Sequence, residues 1–154
     1  MVIPDINLLV FSYNEEAPRH GTGREWWQGL MTGREPVGIP WVVVIGFIRL
    51  VTHPSVLAAP LAPKAALARV GQWFVREHVQ SLEPGPRHLA ILERLFEATP
   101  VGGNLTTDTH LAALAIEHQC ELHSSDADFA RFPGLRWHNP LDRTVGPRGR
   151  GGSA

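Results

Sequence analysis

Aspartate is scarce in this chain of 154 residues: Asp5, Asp108, Asp126, Asp128 and Asp142 are the full set. Four of the five stand where a strand gives way to a helix. Asp5 closes the apolar segment Val2-Ile3-Pro4, Asp108 opens an apolar helical pattern, and Asp126 and Asp128 follow the strand-like residues 121–124. In an open parallel sheet, ligands sit outside the carboxyl ends of the strands. Acids far apart in the chain are therefore expected to meet in one small pocket. Carboxylates crowded together without basic neighbours repel and raise one another's pKa, so such a cluster serves to hold a cation. Oxygen donors without a Cys or His spacing pattern favour Mg²⁺, with Mn²⁺ as a substitute, over zinc. An ion of that kind lowers the pKa of water and clamps phosphate oxygens, which is the chemistry of phosphodiester hydrolysis. Taken singly, each acid also has a simpler reading: Asp108 and Asp128 in helix first turns, where the dipole favours negative charge, and Asp5 as a turn former.

The elements that must position these acids follow from apolar periodicity. Residues 2–5 read as a strand, with Asn7 capping a short helix through Leu8, Leu9, Val10 and Phe11. Helices are expected over residues 19–31, 41–52 (buried), 63–77 and 87–98, and a further one opens at Thr106-Thr107-Asp108. Strands are expected at 37–40, 79–82, 121–124 and 135–138, and a short helix at 126–132. Short strands alternating with helices predict an α/β fold, a short parallel sheet covered on both faces by helices. Residues 1–141 form the expected domain, and residues 142–154, rich in Gly and Arg, an expected mobile tail.

Composition narrows the function. The chain is 44% apolar with a net charge of -1, which excludes a mainly disordered chain and a globally basic nucleic-acid binder. Cys120 is the one cysteine, so no internal disulfide forms and a reducing cytoplasm is expected. The longest apolar run, residues 39–48, is too short to span a bilayer, so no membrane association is expected. Trp26 and Trp27 are adjacent, so one helix face cannot bury both, and one is expected at an interface.

Three blocks of sequence carry a resemblance. They are Val2-Ile3-Pro4-Asp5-Ile6-Asn7-Leu8-Leu9; the middle segment from Trp41 through Phe47-Ile48-Arg49 to Thr52-His53-Pro54; and a C-terminal third containing Asp108-Thr109-His110-Leu111-Ala112, Ser125-Asp126-Ala127-Asp128-Phe129-Ala130-Arg131-Phe132 and Leu135-Arg136-Trp137. In these blocks the chain resembles the PIN-domain proteins, specifically the VapC-type toxins of bacterial toxin–antitoxin pairs. The resemblance implies a three-layer α/β/α fold and a Mg²⁺-dependent endoribonuclease. It also implies a homodimer silenced by a cognate antitoxin whose tail enters the active-site groove. By that resemblance Asp5, Asp108 and Asp126 are metal ligands and catalytic, with Asp128 a nearby acid. Asn7 and Ser125 stand at the rim, and Arg49 and Arg131 contact phosphate or pair with the acids.

The chain departs from the family at one position. The family carries a glutamate before the Phe-x-Arg stretch, where this chain has Gly46. A missing acid is expected to weaken metal binding, and Gly46→Glu is expected to raise Mg²⁺ affinity and cleavage rate. The same departure motivates a second reading, a catalytically impaired module that binds antitoxin or RNA without cutting. A third, an aspartate-nucleophile phosphatase, needs an acid at position 7, where Asn7 stands.

Overall fold

A computed structural model describes residues 1–99 and 103–142. Residues 143–154, most of the expected tail, lie outside them. Five strands form one sheet: β1 (Val2–Pro4), β2 (Val37–Pro40), β3 (Val79–Leu82), β4 (Glu121–His123) and β5 (Arg136–His138). Their order is β3-β2-β1-β4-β5 and every pairing is parallel. The central strands β1 and β2 are buried at every residue, as a sheet covered on both faces requires, whereas edge strand β3 exposes its two middle residues.

The helices are α1 (Ile6–Tyr13), α2 (His20–Thr32), α3 (Trp41–Val51), α4 (Pro63–Phe74), α5 (His88–Ala98) and α6 (Thr106–Glu117). α1 packs on α2 and α3, α3 on α4, and α5 on α6, completing a three-layer α/β/α arrangement. Ile3, Val37, Ile39, Phe47, Leu111 and Leu122 are wholly buried in the core between sheet and helices. No helix among the described residues is long and apolar enough to cross a membrane.

The order of elements matches the sequence expectation, with informative differences. Asp5, not Asn7, caps α1: its backbone is extended and its carboxylate accepts the Ile6 N–H, so Asn7 lies inside the first turn. The expected short helix at 126–132 is a 3₁₀ helix at Ala127–Arg131, capped by Asp126. α3 is not buried all round, since Trp41 is 51% and Ile45 59% exposed. These two, four residues apart, form an outward apolar stripe that overall hydrophobicity concealed. Trp27 is buried, and Trp26 is engaged within the fold, donating its indole N–H to His123 Nδ1 at 3.0 Å.

Candidate active site

β1 and β4 are neighbours in register, with Pro4 opposite His123, and Asp5 N–H donates to the His123 carbonyl at 2.9 Å. The two strands therefore end side by side, bringing Asp5 next to Ser124. β2 pairs with the other side of β1, so the chain leaves these strand ends in different directions, the place where open sheets form a crevice.

The Ser124 side chain organises this crevice. The residue is wholly buried, and its hydroxyl donates to Asp5 Oδ2 at 2.7 Å. The same oxygen accepts from the Asp126 backbone N–H at 3.0 Å and from Asn7 Nδ2 at 3.3 Å. One donor and two acceptor positions exhaust what a hydroxyl offers. Asp5 Oδ1 takes the Ile6 N–H at 2.7 Å, and Asp126 Oδ1 takes the Asp128 N–H at 2.8 Å. Asp5, Asn7 and Asp126 thus share one network although 117 positions separate Asn7 from Ser124.

The carboxylates sense one another. Burial, then the charges of Asp5, Asp126 and Asp128, push Asp108 up to about 6, with Arg131 opposing them. Asp5 is also raised, by burial first and with a further push from Asp126, against the lowering effect of its Ser124 and Ile6 hydrogen bonds. Asp128 is exposed and forms an ion pair with Arg131, so part of its charge is answered within its own 3₁₀ helix.

The sequence-nominated residues divide accordingly. Asp5, Asp108, Asp126 and Asp128 come together, with Asn7 and Arg131 among them. Ser125 is half-exposed and takes no part in the network; its neighbour Ser124, passed over as a strand residue, holds it together. The only sequence signal for Ser124 was its place at the end of β4, one register step beyond the partner of Pro4. Arg49 lies exposed on α3 and, among the described residues, pairs with none of the acids.

Gly46 lies against α1. A Cβ built there would stand 2.5 Å from Ile6 Cδ1 and 3.1 Å from Ile6 Cγ1. Ile6 Cδ1 is the far end of a half-buried side chain, so a side chain at position 46 requires Ile6 to shift.

Two observations suit a hard divalent ion at this site. Four acids converge with Arg131 as their one basic neighbour in the balance that sets Asp108, and Asn7 Oδ1 is buried without a hydrogen-bond partner. Carboxylate and amide oxygens are the donors Mg²⁺ and Mn²⁺ prefer. As the side chains stand, no group of three His, Cys, Asp or Glu among the described residues is arranged to hold a metal ion. Asp108 and Asp126 are half-exposed, so turning their side chains inward is open to them.

Comparison with known proteins agrees with the geometry. The family model for the PIN domain matches residues 2–135. Ribonuclease VapC33 of Mycobacterium tuberculosis is 43% identical over 141 residues, covering 92% of this chain and 99% of that protein. Ribonuclease VapC37 of the same organism is 37% identical over 140 residues, covering 91% and 97%. Among solved structures, Mycobacterium tuberculosis VapC20, described as a toxin that cleaves the sarcin-ricin loop, superposes with a TM-score of 0.61 at 17% identity, covering 88% of this chain and 99% of that one. VapBC2 from Rickettsia felis, bound to a promoter DNA fragment, gives 0.64 at 15% identity, covering 90% and 98%. At these identities the solved structures speak for the fold alone.

Proposed function

Because the chain belongs to the PIN domain family, in its VapC ribonuclease branch, we propose that it hydrolyses RNA phosphodiester bonds as the toxin of a bacterial toxin–antitoxin pair, acting in the cytoplasm. The observation that supports this is that burial, together with the charges of Asp5, Asp126 and Asp128, pushes Asp108 up to about 6, as acids gathered by the ends of β1 and β4 would.

In this reading Asp5, Asp108 and Asp126 hold Mg²⁺ or Mn²⁺, with Asp128 at the edge. The ion supplies charge to activate water and to neutralise phosphate oxygens. The chain's own residues orient and exclude. Ser124 locks Asp5 Oδ2 and, through the Asp126 N–H, sets the turn that presents Asp126. Asn7 is anchored through Nδ2, which leaves Oδ1 facing inward to accept from a water or a ligand. Asp108, pushed up to about 6 by burial and the neighbouring acids, would be held in its charged form by a bound cation. Arg131 answers Asp128 and stands beside the site for a phosphate, and exposed Arg49 is available to a longer RNA.

The partners follow from surface features. Two cavities of about 620 and 480 Å³ share Tyr13 of α1 with Trp27 and Gln28 of α2; Glu15 and Glu16 line the first together with Arg24 and Arg69, and Arg76 lines the second. The antitoxin's tail is proposed to enter the active-site groove at the ends of β1 and β4, apart from these cavities. The exposed Trp41 and Ile45 stripe on α3 suits a second copy of the chain.

The test is RNA cleavage by purified protein with Mg²⁺ or Mn²⁺, with EDTA, and with Asp5→Asn, read by sequencing the RNA ends. Cleavage that EDTA and Asp5→Asn both abolish is expected; cleavage indifferent to either sinks the proposal. A second reading, binding without cutting, draws on Gly46 and on the absence of a ready three-acid group among the described residues. Retained RNA or antitoxin binding with no cleavage under any condition selects it.

A further inference from the structure

Charge is divided unevenly along the chain. All fifteen Asp and Glu lie within residues 1–142, against eleven Lys and Arg, a net of -4. The last twelve residues carry three arginines, Arg143, Arg148 and Arg150, with four glycines and no acid. A polyanion drawn to the acidic strand ends therefore meets a domain whose overall charge repels it. Arginines of the described residues by this edge are already engaged. Arg131 gives Nη2 to the Asp128 carboxylate and Nε to the Asp128 carbonyl, and Arg19 stands 4.0 Å from Asp142.

The arginine-rich segment starts at that same edge. β5 ends at His138, whose carbonyl accepts the Ser124 N–H at 3.1 Å. The chain is then held for four more residues. Leu141 is buried, its N–H donates to Asn139 Oδ1 at 3.1 Å, and the Asp142 N–H donates to the Asn139 carbonyl at 3.3 Å. Four residues carry the chain no further than about 15 Å from His138. Twelve more span up to about 40 Å when extended, and neighbouring strands are only about 4.8 Å apart. All three arginines are thus within reach of the ends of β4 and β1. Their chemistry suits a polynucleotide: the planar guanidinium takes phosphate with two hydrogen bonds and stacks on bases. Gly-Arg segments use both contacts to hold single strands without a fixed base sequence.

We propose that residues 143–154 act as a basic arm that holds the phosphates of single-stranded RNA at the acidic strand ends. The arm supplies the attraction that residues 1–142 lack. The inference rests on reading the protein as one that acts on RNA, and it makes Arg143, Arg148 and Arg150 substrate-holding residues distinct from the acids.

The test keeps the full chain and compares wild type with two triple variants, Arg143→Gln/Arg148→Gln/Arg150→Gln and Arg143→Lys/Arg148→Lys/Arg150→Lys. Binding to a fluorescein-labelled single-stranded RNA of about 20 nucleotides is followed by anisotropy in EDTA, from about 50 to about 200 mM KCl. Losing three phosphate contacts should lower the slope of log K against log salt by about 2, at about 0.7 per contact. Wild type's advantage over the glutamine variant then shrinks roughly twentyfold across that range, and the lysine variant keeps the wild-type slope. With Mn²⁺ present, the glutamine variant should raise KM and leave kcat unchanged. Its melting temperature should equal that of wild type; a lower one would place the arginines in the packing of the fold and overturn the arm. Equal slopes for wild type and the glutamine variant overturn the inference and leave the ribonuclease reading standing. Tighter RNA binding by the glutamine variant also overturns it, by setting the arginines against the protein's own acids. A wild type that binds no RNA overturns the arm, and the cleavage assay then judges the ribonuclease reading separately. RNA binding through the arginines with no cleavage under any metal condition sinks that reading and supports the arm.

Discussion

Two regions of this molecule bury carboxylates, and they treat them in opposite ways. Glu117, at the end of α6, accepts the Gly85 and Arg87 backbone N–H groups, each at 2.9 Å, and lies 3.4 Å from His88 Nδ1. Gly85 makes this approach possible, since a Cβ there would stand 2.7 Å from Glu117 Oε1. Every part of that arrangement answers a negative charge, and it ties the loop before α5 to α6. At the opposite end of α6, Asp108 faces three other acids, and among the described residues no donor is hydrogen-bonded to its carboxylate. One helix thus carries an acid placed for stability at its C-terminal end and an acid placed against stability at its N-terminal end. Electrostatic frustration of the second kind marks functional sites, where stability is given up for a ligand.

The contrast is open to direct attack. Removing the satisfied acid should have the largest effect on folding: Glu117→Ala strands two part-buried backbone donors and should cost about 2 kcal/mol by urea denaturation. A loss below about 1 kcal/mol would mean water replaces the carboxylate and the region is looser than its hydrogen bonds imply.

Next comes the hydroxyl that organises the frustrated end. Ser124→Ala should weaken Mn²⁺ binding by about 10- to 100-fold, the usual cost of losing a residue that orients a ligand. Ser124→Thr, which keeps the hydroxyl, should restore most of it. Equal affinities for alanine, serine and threonine would show that Asp5 needs no such support.

The pH dependence of stability sharpens the comparison further. Asp108 is raised in the folded state, so between its ordinary value near 3.8 and about 6 the native protein holds the proton more tightly than the unfolded chain. Its contribution is therefore favourable at the acid end of that window and is lost as pH rises through it. In metal-free buffer, wild type should lose more stability than Asp108→Asn between pH 4 and pH 6.5, and added Mn²⁺ should restore wild type alone. Parallel profiles for the two proteins would place Asp108 outside the cluster.

The smallest effect is on stability at neutral pH. Asp108→Asn removes a like charge without removing a hydrogen-bonded partner, and should stabilise the metal-free protein by about 0.5 kcal/mol after solvent screening. Thermal melting in EDTA reads it. A destabilised Asp108→Asn would give this acid a structural partner and erase its contrast with Glu117.

How much of this was legible in advance depends on the range of the interaction involved. The strands and helices were, because apolar spacing is a local property and the buried strands Val2–Pro4 and Val37–Pro40 are short, apolar and bounded by turn residues. The four acids were visible as a set because aspartate is rare here and each stands at or near the start of a helix, although Asp108, expected after a strand, opens α6 behind a 3₁₀ turn at Gly103–Leu105 that follows α5. Ser124 was not, since a serine at a strand end has no local signature and its role comes from a partner 119 positions away. The Gly46–Ile6 contact was also hidden: a glycine inside a helix signals close approach, but not which side chain approaches. Local hydrophobicity overstated the burial of α3, because Trp41 and Ile45 are as apolar as Val43 and Phe47 and differ only in what stands opposite them.

By itself, then, the sequence determined the layered α/β class, the order of elements and the acids available for chemistry, since each depends on residues near one another in the chain. Tertiary structure alone decided which hydroxyl binds Asp5, that Ile6 packs against Gly46, and that Asp108 is left among like charges while Glu117 is answered. Those outcomes depend on the register of β1 against β4 and on the approach of α3 to α1. Both are products of packing over the whole chain, which no stretch of residues encodes locally.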